Sequence, residues 1–224
     1  MNSFKEYYVE NTLSPYLMAL GSVMPGAAGV AGAPSAETHQ AVRNQTLDID
    51  QFVTDWSIDY QTSNDDAKKK QAIIDLRRWD GSTGLTPEIR SMIRQAAEIF
   101  EGDHGATVEE LEQYLIYTGY VESKYRDKIQ RTNTGIGPAR SYWQVEPSTA
   151  HSLVNRSFQY FGPNFRKVFP DVKMKNGKTV TSLQALQSLD LDGWTRILER
   201  VDKLAVTMAA AKWIATKYRK QVKK

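Results

Sequence analysis

The sequence predicts a mainly α fold, α+β at most, with one small β or loop element and an extended N-terminal arm. Three observations carry this expectation. Apolar residues recur every three or four positions through most of the chain after Thr46, the spacing of helices that bury one face. Helix-start signals stand at Thr86-Pro87 and at Thr107 with Glu110, a proline at the first helical position and a capping-box pattern. A hairpin signal occurs at Asn176-Gly177, between short Lys and Val runs.

Composition narrows the class. At 224 residues the chain accommodates one good-sized domain with an appended segment, or two small ones. With 41% hydrophobic and 25% charged residues, neither a disordered chain nor a polytopic membrane protein is expected. A formal net charge of +3 is too weak to argue for nucleic acid, but it is compatible with an anionic envelope. Cysteine is absent, which excludes disulfides, thiolate chemistry and zinc-cysteine sites. His39, His104 and His151 lie far apart without metal-ligand spacing, so no metal or other cofactor is expected.

Taken in order, residues 1–40 form the arm. From Asn11 to Ala36 no residue is charged, and the stretch ends in the small-residue run Pro25 to Pro34. Glu6 and Glu10 spoil the positive start of a signal peptide. The prolines and glycines also leave it short of the roughly 20 apolar residues of a stable transmembrane span. Residues 41–101 read as a helical region. Thr46 to Trp79 gives Ile49, Phe52, Val53 and Trp56 at helical spacing, a polar break at Ser63-Asn64, then Ala67, Ile73, Ile74 and Leu76. The run Asp65, Asp66, Lys68, Lys69, Lys70 reads as the solvated face of that second helix. After the loop Asp80–Gly84, the helix from Thr86-Pro87 presents Ile89, Met92, Ile93, Ala96 and Phe100.

Residues 102–224 are expected to form the functional domain. Gly102–Gly105 breaks the chain, Thr107 opens a helix, and a further helix follows Pro147. One long final helix carries Trp194, Ile197, Val201, Leu204, Met208, Ala211, Ala215 and Tyr218 on one stripe. Lys217, Arg219, Lys220, Lys223 and Lys224 read as a solvated tail.

The helix from Thr107 holds the candidate catalytic group. Its buried stripe is Val108, Leu111, Leu115 and then Thr118 or Gly119. At about 100° per residue Glu122 points within roughly 20° of Leu111 and Leu115. A carboxylate therefore ends an apolar stripe, where burial disfavours its charged form and suits it to act as a general acid. The competing expectation is a glutamate that reaches solvent or pairs with Lys124, Arg126 or Lys128. About 20 residues on, Thr134 to Ala150 combines a glycine-rich turn with Tyr142, Trp143 and Gln144, then Pro147 and Ser/Thr positions that start a helix.

Glu122-Ser123 followed by Gly137-Pro-Ala-Arg-Ser-Tyr-Trp-Gln144-Val-Glu-Pro147-Ser-Thr149-Ala150 resembles the lysozyme-like superfamily. The likeness is to soluble lytic transglycosylases and the cell-wall lysis proteins of tailed bacteriophages. Those write a helix ending in Glu-Ser and then Gly-Ala-x-Gly-Leu-Met-Gln-x-x-Pro-x-Thr-Ala; the phage branch commonly writes Gly-Pro-Ala-Arg-x-x-Trp-Gln-x-Glu-Pro. The resemblance covers residues 105 to 155 well and Trp194 to Tyr218 loosely. It departs at Ser141, where the family usually has glycine.

The resemblance implies a lysozyme-like catalytic domain that cleaves the glycosidic bond between N-acetylmuramic acid and N-acetylglucosamine, with Glu122 as acid/base. It implies substrate contacts from Ser123, Tyr125, Tyr142, Trp143 and Gln144. Asp127 and Glu146 are the candidates for the second carboxylate that a hydrolase uses; without one, a transglycosylase is implied. The expected partners are peptidoglycan glycan strands and, through residues 1–40, phage structural proteins. The expected setting is a phage virion, tail or internal, acting on the bacterial wall. A structural virion protein of the same fold and a free endolysin are the alternatives.

Overall fold

The computed structural model describes residues 47–222 apart from 63, 133, 158–160 and 174–177. The expected arm, residues 1–40, and Lys223 and Lys224 lie outside the described residues. The described residues are predominantly helical with two small two-stranded sheets.

Helices α1 (Ile49–Asp59) and α2 (Asp66–Arg78) flank the expected break. Asp48 and Asp65 accept backbone N–H groups at their starts, satisfying donors that a helix leaves unpaired. Helix α3 (Pro87–Ile99) starts behind Thr86, whose side chain accepts from the Ile89 N–H. A 3-10 turn at Asp103–Gly105 leads into α4 (Val108–Ser123), where Thr107 and Glu110 form the complete capping box.

An antiparallel hairpin follows, β1 (Ile129–Thr132) with β2 (Gly135–Arg140), paired Ile129↔Arg140 and Thr132↔Gly135 with a bulge between. Pro138 is accommodated because a two-stranded hairpin has only edge strands. Then come α5 (Pro147–Arg156), α6 (Pro163–Val168), β3 (Val172–Lys173) paired with β4 (Thr179–Val180), and α7 (Ser182–Gln187). The second hairpin matches the Asn176-Gly177 signal, although the turn itself lies outside the described residues.

The long final helix is two helices, α8 (Leu191–Arg200) and α9 (Asp202–Val222). Val201 breaks them with extended torsions, φ −120° and ψ 83°. Asp202 opens α9 with an acidic first turn and an ion pair to Lys128 at 2.6 Å, both favourable at a helix N-terminus. The apolar stripe spans the break, with Trp194, Ile197, Val201, Leu204, Met208 and Ala211 all buried. From Leu204 to Ala211 α9 is buried on every side, and it touches α1, α3, α4, α5 and α8. Its alanines let those neighbours approach closely.

A single buried cluster runs from Leu47 through Ile214. The boundary expected between 101 and 102 therefore does not divide the core: α1 to α3 pack into the same interior as α4 and α9. The solvated-tail expectation fails at Lys217, which pairs with Glu110 at 3.2 Å and lies over the Trp213 ring.

Candidate active site

Helix α4 ends at Ser123 in a way that fixes what surrounds Glu122. The Ser123 hydroxyl donates to the Gly119 carbonyl (2.9 Å) and accepts from the Tyr125 N–H (3.1 Å). Lys124 and Tyr125 both take left-handed torsions, φ +53° and +56°, and turn the chain back under the helix. The Tyr125 hydroxyl then donates to the Ile116 carbonyl at 2.7 Å, and its ring lies against Gly119, where a Cβ would come within 2.5 Å of it. Lys124 forms an ion pair with Asp75 and lies over Tyr120, which stacks on Trp79 at 4.2 Å.

The second motif docks on the same turns of α4. The Trp143 indole N–H donates to the Leu115 carbonyl at 2.9 Å, with the side chain fully buried. Ser141 is buried at φ +68°, and its N–H donates to the Lys128 carbonyl at 2.7 Å. The left-handed region is the conformation that favours glycine, and Ser141 occupies such a position. The Gln144 amide donates to the carbonyls of Ser141 (2.7 Å) and Asp127 (3.3 Å), while its Oε1 is buried without a partner among the described residues. The segment is fastened outward by Arg140–Glu199 and Lys128–Asp202, each at 2.6 Å.

Glu122 is half-buried, and its Oε1 accepts the Trp56 indole N–H at 2.8 Å. It forms none of the expected ion pairs with Lys124, Arg126 or Lys128. Burial raises its carboxyl above the ordinary range. The positive charges of Lys68 and Lys212 and the Trp56 hydrogen bond oppose that shift without cancelling it. Beside it, burial together with the charges of Glu122 and Asp59 pushes the Tyr60 hydroxyl well up, so Tyr60 stays protonated and donates to the Trp143 carbonyl at 2.7 Å. A protonatable carboxyl, held on one oxygen, thus sits where the two motifs meet.

Four of the five expected substrate contacts are buried. Ser123, Tyr125, Trp143 and Gln144 are 8%, 5%, 0% and 6% exposed, and their hydroxyl, indole and amide N–H donors are committed to backbone carbonyls. Too little of these side chains reaches the surface to line a sugar subsite; they build the turn. Tyr142 remains half-buried with Lys128 over its ring at 4.9 Å. Asp127 and Glu146 are exposed, and the Glu146 carboxylate accepts the Ser148 hydroxyl at 3.4 Å. The charges that bear on Glu122 are lysines.

The structure adds Trp56, Tyr60, Lys68 and Lys212, which the sequence did not single out as site residues. Trp56 read as part of an apolar stripe and Lys68 as part of a solvated face. The one signal available was chemical, since a buried tryptophan usually finds an acceptor for its N–H. Among the described residues no cluster of His, Asp or Glu has the makings of a metal site, and no helix is long and apolar enough to cross a membrane. No family model, curated protein or solved structure matches this chain.

Proposed function

We propose that this chain is a lysozyme-like enzyme that cuts the glycan strands of peptidoglycan, with Glu122 as the general acid and base. The observation that carries the reading is the half-buried Glu122 carboxyl, held on Oε1 by Trp56 and raised above its ordinary range by burial, at the end of the helix on which the second motif docks. A carboxylic acid so held is suited to protonate a glycosidic oxygen near neutral pH. As the bond from that oxygen to C1 of N-acetylmuramic acid breaks, positive charge develops on the sugar ring.

The second half of the cycle is proposed to be intramolecular. Glu122, now a carboxylate, takes the proton of the muramic acid C6 hydroxyl, whose oxygen closes on C1 to give an anhydro end. Inverting and retaining hydrolases need a second carboxylate about 5 to 9.5 Å from the acid. The solvated positions of Asp127 and Glu146, and the lysines beside Glu122, favour transglycosylation. Tyr142 is the aromatic proposed to contact sugar. We place the enzyme in a phage particle, docked through residues 1–40 and opening the wall during genome delivery. Deleting residues 1–40 should abolish incorporation while leaving lytic activity.

The test of the catalytic reading is Glu122→Gln, which preserves size and the acceptor for Trp56 while removing the transferable proton. The variant should leave purified peptidoglycan turbid where the wild type clears it. Equal clearing by both proteins would rule the reading out.

A further inference from the structure

We propose that Trp56 is a positioning residue for Glu122: its indole N–H pins Oε1 and leaves Oε2 as the oxygen that carries the transferable proton, with Lys68 and Lys212 forming a cationic wall beside it. This rests on Glu122 being the acid.

The pin is rigid. Trp56 has no exposed surface, so water is no alternative acceptor, and an unmet buried donor would carry its full desolvation cost. Its ring is held between Phe52 and Tyr60, at centroid distances of 6.4 and 6.2 Å. Trp56 donates to Oε1, while Oε2 accepts no hydrogen bond among the described residues. A donor fixed on one oxygen of a carboxylate stabilises negative charge there and directs the proton to the other. After proton transfer, the same bond strengthens because it has become charge-assisted.

Three helices besides α4 supply the surroundings. From α1 come Trp56, the protonated Tyr60 and, behind it, Asp59, which accepts the Tyr114 hydroxyl. Lys68 comes from α2, its Nζ 5.3 Å over the Trp56 ring, and Lys212 from α9, 3.5 Å over the Tyr60 ring. Both lysines act on the Glu122 charge. All of these groups except Lys212 and Tyr114 precede residue 102, so the segment before the two motifs completes the site.

The experiment follows the Glu122 carboxyl carbon by NMR in the full chain labelled with 13C-glutamate, its signal identified by its absence in Glu122→Gln, alongside the pH profile of lytic rate. Trp56→Phe should raise the Glu122 midpoint by about one pH unit, as expected for losing a hydrogen bond to a charged group. It should carry the alkaline limb of kcat/KM upward with it and lower kcat at unchanged KM. Lys68→Met, which removes a positive charge that favours the Glu122 carboxylate, should shift both the same way. A folded Trp56→Phe whose midpoint stays in place overturns the proposal; if that variant does not fold, an unmoved midpoint in Lys68→Met does so. Should the midpoint shift in a wild-type background that lacks lytic activity, the enzymatic reading fails and the pin stands.

Discussion

Replacing Gly119 with alanine probes how α4 and the turn after it fit together one helical turn before Glu122. The new Cβ would meet the Tyr125 ring at 2.5 Å from Cε1 and 2.6 Å from Cζ, and the hydroxyl at 2.7 Å. Those atoms belong to a buried ring whose hydroxyl is bound to the Ile116 carbonyl, so relief requires moving the whole ring. Overpacking of this kind costs about 2 kcal/mol, and loss of the buried hydrogen bond about 1 more. The better helix propensity of alanine returns about 1 kcal/mol. The net destabilisation is about 2 kcal/mol, or roughly 4 to 8 °C in Tm for a chain of this size. Calorimetric melting of the full chain measures it. Tyr125→Ala should make the alanine tolerable, so the double variant should lose less than the two single losses added. An unchanged or raised Tm for Gly119→Ala would refute the packing described for this turn.

Three further outcomes follow from the site. Folding raises the Glu122 carboxyl by burial, so the folded chain binds that proton more tightly than the unfolded one, and stability declines as pH rises from the ordinary carboxylate range through the raised value. Glu122→Gln should therefore melt above the wild type at neutral pH, by about 1.4 kcal/mol for each pH unit between the folded and unfolded midpoints, with the difference vanishing in acid; a difference constant with pH would contradict this. Asp127→Asn and Glu146→Gln should each retain most lytic activity in a turbidity assay, whereas loss with either would identify a second carboxylate. Trp143→Phe removes the donor to the Leu115 carbonyl and leaves a small void, costing about 2 kcal/mol in denaturant unfolding.

The helices were legible wherever their ends are written in local chemistry. Thr107 with Glu110 and Thr86 before Pro87 set caps through side chains within three residues; Asp65, which read as part of a solvated face, caps the second helix. The break at Val201 was not legible, because the apolar stripe continues across it and the interruption is tied to Lys128, far away in the chain. Hairpin β1 and β2 escaped for a related reason: Gly135, Gly137 and Pro138 read as a turn, and pairing is completed by docking Arg140 on Glu199. Within the site, Glu122 was visible as a carboxylate on an apolar stripe. Its partner Trp56, 66 positions earlier, looked like any other core aromatic. Aromatic residues beside Gln144 read as sugar contacts, yet Trp143 had a backbone carbonyl to satisfy and went inside.

Glu122 is proposed to drive cleavage of the glycan with the substrate's own hydroxyl as nucleophile. Mass spectrometry of the soluble fragments released from purified peptidoglycan, run with wild type and folded Glu122→Gln at equal concentration, tests both halves together. The wild type should release fragments ending in anhydro-muramic acid, one water lighter than hydrolysis products, and the variant none. Equal release by the variant would contradict the role of Glu122, and reducing ends from the wild type would contradict the transglycosylase chemistry.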